Sequence, residues 1–283
     1  LTERGFLMIF GFIGTGNMGG ALAKAAGMKL DGEGILLANR TPEKAQKLAE
    51  ELHAEVTDNL TIAERADYIF LGVKPQGMPD LLKEIGPVLA RRQEEQTPPP
   101  YELRSRFVLV TMAAGLTISR IQELAGGSYP VLRVMPNTPA AVGAGMILYS
   151  PGPGVTKREV SLFLEAMSGA GRFSAVPESM IDAGSAVAGC GPAFVDLFVE
   201  ALADGGTACG LPRAQALEFA AQMVMGSARL LLETGKHPGE LKDAVCSPGG
   251  TTIQGVRKLE EGGFRGIVMN AVIAAYEKNA QLK

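Results

Sequence analysis

Histidine is nearly missing from this chain: His53 and His237 are the only two in 283 residues, and they lie far apart. That leaves no imidazole cluster for zinc, and no metal is expected. Cysteine is scarce as well. Cys190, Cys209 and Cys246 are odd in number and lack CxxC spacing, which argues against a disulfide framework and for a reducing compartment. Net charge is close to balance at −3, so there is no basic surface excess for nucleic acid, and no nucleic-acid partner is expected. No secretory signal is evident. The longest uncharged stretch, Val134–Thr156, holds Pro136, Pro139, Pro151 and Pro153 and cannot form a spanning helix, so no membrane partner is expected. These absences describe a soluble, cytoplasmic protein, and 283 residues suffice for two domains.

The most informative segment present is Ser247-Pro248-Gly249-Gly250-Thr251-Thr252. A helix-forming run at Glu240–Val245 breaks into it, and helical spacing resumes at Ile253, Val256 and Leu259. Its glycines let the backbone approach a ligand, and the restarting helix presents free N–H groups and a positive dipole end. Ser247, Thr251 and Thr252 add hydroxyls without a competing charge, which suits a small carboxylate. A helix-to-helix turn capped by Ser and Thr accounts for the same residues.

Near the start, the apolar run Ile9–Ile13 leads into Gly14-Thr15-Gly16-Asn17-Met18-Gly19 and then into a helical pattern. Between a strand and a helix, GxGxxG is a dinucleotide fingerprint. The first Gly makes the turn, the second admits pyrophosphate, and the third allows close helix packing. Leu1–Leu7 reads as an extension ahead of that strand, without a structural role.

A second strand, Ile35–Ala38, ends in Asn39-Arg40-Thr41-Pro42. NAD-binding chains usually place an acid near Asn39 to hold the ribose hydroxyls. An uncharged residue followed by Arg40 and Thr41 suits the 2′-phosphate of NADP(H), with NAD(H) as the alternative. Thr41-Pro42 also begins the helix of Glu43–Leu52, with Pro at its first position.

Asp67–Val73 and Phe107–Met112 read as parallel strands ending at Lys74-Pro75 and Ala113-Ala114-Gly115, which flank the nicotinamide position. Lys74 reads as a positioning group rather than a base. Val131–Met135 leads to Pro136-Asn137-Thr138-Pro139, and Ala144–Tyr149 and Phe173–Val176 complete an extended sheet. Arg91–Arg106, with three consecutive prolines, reads as a surface insertion.

Strand signals stop at Ser179. Helices are expected at Ala193–Leu202 and Arg213–Glu233, the second apolar nearly all round. One small helical domain cannot enclose such a helix, which predicts a homodimer through this region. The organisation is therefore an α/β Rossmann-like doubly wound domain over 1–177 and an all-α dimerisation domain over 178–283.

A further absence bears on the chemistry. No lysine occurs between Lys157 and Lys236, and the helical domain has a single histidine, His237. Alcohol–carbonyl chemistry needs such a group to move a proton, whereas an iminium accepts hydride without one.

The chain resembles the pyrroline-5-carboxylate reductase family. The resemblance rests on Asp243–Thr252, Leu259-Glu260 and Gly262–Arg265, on Phe12–Met18 and Val73–Pro75, and on Ala113–Gly115 and Met135–Pro139. Gly191–Ala193, Asp204–Gly206 and Gly210–Arg213 extend it, in the family's order. It implies reduction of 1-pyrroline-5-carboxylate to L-proline. Another cyclic-imine reductase or a β-hydroxyacid dehydrogenase is the alternative.

The resemblance assigns Ser247, Gly249, Gly250, Thr251 and Thr252 to substrate, with Thr252 at the ring nitrogen as the catalytic candidate. To the cofactor it assigns Ile13, Gly14, Thr15, Gly16, Asn17 and Met18, then Asn59, Gly72, Val73, Lys74 and Pro75, then Ala113, Ala114 and Gly115. Asn39, Arg40, Thr41 and Asn137 join them as cofactor residues on their position at strand ends. Family members form dimers that often assemble five at a time into decamers, the substrate turn of one subunit facing the cofactor of its partner. Ala188-Gly189-Cys190-Gly191 departs from the family's Ser-Gly-Ser-Gly, and the 91–106 insertion is longer than usual.

Overall fold

The computed structural model describes residues 2–3, 6–95 and 106–281. The chain divides into two compact units: Leu1–Gly189 with Tyr276–Lys283, and Cys190–Ala275. The division by packing falls at 189/190, twelve residues after the 177/178 read from sequence. Residues 178–188 pack with the first unit because Ile181 is buried and Asp182 pairs with Arg133.

In the first unit, β1 (Thr2–Glu3) and β2 (Phe6–Leu7) pair as a short antiparallel ladder, so part of the expected extension has structure. There follow β3 (Phe10–Ile13), α1 (Asn17–Gly27), β4 (Ile35–Ala38), α2 (Pro42–Leu52), β5 (Glu55–Val56), α3 (Asn59–Arg65), β6 (Tyr68–Leu71) and α4 (Met78–Glu94). After residue 105 come β7 (Val108–Thr111), α5 (Ile118–Ala125), β8 (Val131–Met135), β9 (Gly145–Pro151), α6 (Lys157–Ala166), β10 (Gly171–Ala175) and α7 (Ile181–Ala188). Strand order is β10-β9-β8-β7-β6-β3-β4-β5.

Every residue of β3, β4, β6, β7 and β8 is buried, as expected of a sheet covered on both faces. Alternate residues feed two separate cores. Phe10, Phe12, Leu37, Phe70 and Val110 pack with α1, α2 and α6, while Leu36, Ile69, Leu71 and Leu109 pack with α3, α4 and α5. Phe12 stacks on Phe70 at 4.2 Å across the β3–β6 register, tying the two strands that flank the topological switch point. The sheet is parallel up to β8, and β9 then runs antiparallel to it. Nine residues separate β8 from β9, fewer than a parallel crossover requires.

The expected insertion at 91–106 is not wholly a surface segment. Helix α4 continues through its first residues, and Arg92 is buried, donating to the carbonyl oxygens of Ala63 and Ala66 with its guanidinium 4.9 Å from the Phe107 ring. Burial pushes the Arg92 guanidinium down from its ordinary value. At the other end Arg106 pairs with Glu159 and donates to the Gly154 carbonyl. The proline run lies outside the described residues.

The second unit contains α8 (Gly191–Ala208), α9 (Arg213–Thr234), α10 (Pro238–Ala244) and α11 (Thr251–Glu261), and α12 (Phe264–Ala280) runs from it into the chain's last residues. Among the described residues, its only buried ones are Ala203, Ala216 and Ala220. Helix α9 is not enclosed within the chain: Phe219 is 55% exposed, Leu230 51% and Leu232 70%. Residues 178–208 have the length and hydropathy to cross a membrane by composition alone. That stretch is interrupted by a turn at Gly189–Cys190 and carries the ion-paired Glu178 and Asp182.

Candidate active site

Each unit has a helix start that carries candidate site residues. The first follows β3. Gly14 turns the chain at φ +100°, a conformation that L side chains rarely adopt. Its N–H donates to the Ala38 carbonyl at 2.8 Å, fastening the turn to the end of β4. A Cβ on Gly19 would sit 2.0 Å from the Gly14 carbonyl oxygen, and one on Gly72 would sit 2.4 Å from it. Both positions need glycine for close backbone packing.

Gly16 is different: a Cβ there would meet nothing within 4 Å. Helix α1 starts beyond it with no side-chain cap and no acid in its first turn. The Thr15 hydroxyl beside it is buried without a partner. Open space at a glycine, uncapped N–H groups and an orphaned donor fit a dinucleotide pyrophosphate.

Around this turn the strand ends converge. Asn39 follows β4 and bonds both the Thr15 N–H and the Thr41 carbonyl, while the Arg40 and Thr41 side chains are exposed. Gly72 and Val73 follow β6, with the Gly72 N–H donating to the Ile13 carbonyl at 2.8 Å. Lys74 is exposed ahead of the single turn Pro75–Gly77. Ala113–Gly115 follow β7, the last at φ +78°. The structure thus brings Ile13–Met18, Asn39, Gly72–Pro75 and Ala113–Gly115 to the carboxyl ends of the neighbouring parallel strands β3, β4, β6 and β7.

Two expected cofactor residues, Asn137 and Asn59, have side-chain partners within the fold. Asn137 is buried, its amide oxygen accepting the Met146 N–H at 3.0 Å and its amide donating to the Ala188 carbonyl at 3.0 Å. Its side chain braces β8, β9 and α7 rather than standing open to a cofactor. Asn59 donates to Glu84 at 3.0 Å, in the first turn of α3. The preceding Asp58 caps that helix through the Thr61 N–H at 2.7 Å, and this bond holds its carboxyl below the ordinary value.

Sequence reading overlooked Arg133, a fully buried cation in β8. It pairs with Asp182 at 3.0 Å and Glu178 at 3.3 Å, and Glu178 also accepts the Ile118 N–H at 2.7 Å. The cluster fastens the α5 start, just after Ala113–Gly115, to α7. An arginine inside the otherwise apolar run Val131–Met135 was the available signal, since a buried charge requires partners.

The second helix start lies in the other unit. Helix α10 ends at Ala244, and α11 begins at Thr251 with Gly250 as its N-cap residue. Gly249 takes φ +69°, and the Gly250 N–H donates to the Ser247 carbonyl at 3.0 Å. A Cβ on Gly250 would lie 2.3 Å from the Ser247 hydroxyl oxygen, so that hydroxyl overlies Gly250. A purely capping turn would close this start with a Ser or Thr side chain. No side chain caps it, the first turn holds no acid, and Ser247, Thr251 and Thr252 are all exposed. The arrangement can receive a small carboxylate and present a hydroxyl beside it. Cys246 and Cys190 are half-buried free thiols.

Comparison with known proteins matches the two parts of the chain to two families. Residues 178–282 match the family described as pyrroline-5-carboxylate reductase dimerisation, and residues 9–94 match that described as NADP oxidoreductase, coenzyme F420-dependent. The chain is 41% identical over 276 residues to the pyrroline-5-carboxylate reductase of Escherichia coli (strain K12), covering 96% of this chain and 97% of that protein. It is 38% identical over 274 residues to that of Pisum sativum, covering 96% and 95%. The structure of a pyrroline-5-carboxylate reductase from Coxiella burnetii superposes with a TM-score of 0.85 at 30% identity, covering 98% and 99% of the two chains. That of Plasmodium falciparum pyrroline carboxylate reductase with NADP bound gives 0.84 at 29% identity, covering 97% and 98%.

Proposed function

The chain belongs to the pyrroline-5-carboxylate reductase family, and we propose that it reduces 1-pyrroline-5-carboxylate to L-proline with NADPH, NADH being the alternative donor. The observation that carries this reading is the pair of uncapped, acid-free helix starts, one at Gly14–Asn17 and one at Ser247–Thr251. The first suits a pyrophosphate and the second a carboxylate.

The bound cofactor supplies the hydride that reduces the C=N carbon. Gly14–Met18 hold its phosphates, and Arg40 and Thr41 hold the 2′-phosphate, with a guanidinium and a hydroxyl where an acid would repel. Gly72–Pro75 and Ala113–Gly115 line its ribose and nicotinamide. Ser247, Gly249, Gly250 and Thr251 bind the substrate carboxylate through hydroxyl and N–H groups. Thr252 orients the ring nitrogen by hydrogen bonding, and an iminium substrate needs no stronger acid from the protein. The exposed apolar residues of α8, α9 and α12 meet a second copy, giving a homodimer; five such dimers in a decamer is the larger assembly that the family resemblance implies, with the dimer alone as the alternative. Three free thiols fit a reducing, cytoplasmic setting.

Purified protein should oxidise NADPH on addition of 1-pyrroline-5-carboxylate, and absence of turnover with either NADPH or NADH would overturn the assignment. Thr252→Ala should lower kcat about tenfold, the weight of one hydrogen bond at the reacting group, with NADPH affinity unchanged. Unchanged turnover would remove Thr252 from the chemistry.

A further inference from the structure

The Asn39 side chain joins two backbone groups of opposite kind. Its Oδ1 accepts the Thr15 N–H at 3.1 Å, and its Nδ2 donates to the Thr41 carbonyl oxygen at 2.9 Å. The pair of partners dictates the residue. A carboxylate has no hydrogen for the Thr41 carbonyl, a serine hydroxyl offers one oxygen on a shorter arm, and an aliphatic side chain serves neither. The two partners also belong to different parts of the cofactor cradle. Thr15 lies inside the phosphate turn after β3, whereas Thr41 belongs to the turn after β4 that carries Arg40.

We infer that Asn39 is the positioning residue for NADP(H) preference: it locks the Arg40–Thr41 turn to the phosphate loop, so that guanidinium and hydroxyl are set in place before the 2′-phosphate arrives. The inference rests on the cofactor reading above. It changes the meaning of the missing acid at this position. The amide does more than avoid repelling a phosphate, because it makes the donor bond to Thr41 that a carboxylate cannot make. Preorganisation of this kind raises affinity by removing an ordering cost, and it does so only for the ligand that uses the ordered groups. The Thr15 bond, in contrast, supports the phosphate turn for NADPH and NADH alike.

The test is direct titration of the full chain with NADPH and with NADH, without imine substrate, by calorimetry. The variants are Asn39→Ala, Asn39→Ser, Asn39→Asp, Arg40→Ala and the double variant Asn39→Ala/Arg40→Ala. Asn39→Ala should lower the ratio Kd(NADH)/Kd(NADPH) about tenfold, the size expected for a hydrogen-bonded group serving a charged ligand. Asn39→Asp keeps an acceptor for the Thr15 N–H and should lower the ratio further, by adding a negative charge near the phosphate. Asn39→Ser, which adds no charge and is too short to make both bonds, carries the test if the alanine variant does not fold. In the Arg40→Ala background, Asn39→Ala should change the ratio by less than about twofold, because the group it positions is gone.

A ratio that does not move in Asn39→Ala, or in Asn39→Ser where the alanine variant does not fold, overturns the inference while leaving the cofactor reading intact. So does an Asn39→Ala effect of full size in the Arg40→Ala background. Wild-type protein that binds neither dinucleotide overturns the cofactor reading and this inference with it.

Discussion

The cofactor unit buries both faces of its sheet within one chain, whereas the helical unit, Cys190–Ala275, buries only Ala203, Ala216 and Ala220. Phe10, Phe12, Leu36, Leu37, Ile69 and Phe70 are wholly inaccessible, but Leu197, Leu232 and Ile267 are each more than 60% exposed. Both units are rich in apolar residues, so composition is not the difference. Local geometry is. Alternating strand residues reach two helical layers from the same chain, while a helix apolar all round needs neighbours on every side. The first unit carries its own core, and the second leaves most of its apolar side chains exposed within the chain.

The sharpest way to break that comparison is to charge the exposed face of α9. Leu230→Glu should convert the oligomer to monomers, measured by light scattering, and should reduce turnover more than any single substitution in the cofactor unit. NADPH binding, which belongs to the other unit, should survive. An intact oligomer with full turnover would show that this face is not the interface.

Within the cofactor unit, a pair of glycines separates folding from binding. Gly19→Ala drives a Cβ toward the Gly14 carbonyl and should cost about 1–3 kcal/mol by denaturant unfolding, as overpacking does. It should also impair NADPH binding. Gly16→Ala meets open space, so it should leave stability nearly unchanged yet weaken NADPH binding. Equal stability losses in the two would refute the distinction.

The smallest effect tests a helix start that does have a cap. Asp58→Ala removes the bond to the Thr61 N–H and should cost about 1 kcal/mol at neutral pH. The folded state holds this carboxyl below its ordinary 3.8, so its contribution is complete above that value. It is lost as pH falls through the lower folded value. Wild type and variant should therefore converge in stability on acidification, and a gap that persists at low pH would assign the cap another role.

Much of this was legible in the sequence. Ile35–Ala38 and Val131–Met135 are strands with the bounds read from their apolar runs, and Pro42 opens α2 as its position suggests. Gly14 makes the turn and Gly19 the close packing that their spacing implies, and Gly16 faces open space. The two-residue edge strand β5 escaped notice because both its residues are exposed. Asn137 looked available because it follows a strand, yet its partners are Met146 and the Ala188 carbonyl, the latter 51 residues away. Arg92 looked like a loop residue because prolines follow it, but its guanidinium binds two carbonyls at the end of α3.

The sequence by itself determined most of the elements, the glycine turn after β3 and the turn that opens α11, because each depends on residues within a few positions of one another. Apolar period, glycine conformation and helix starts are all local properties. Tertiary structure alone decided which polar side chains stay free for ligands and which brace the fold, as Asn39, Arg133 and Asn137 show. Their bonds reach partners from 2 to 51 residues distant. Whether a buried amide or guanidinium is satisfied depends on what folding places beside it.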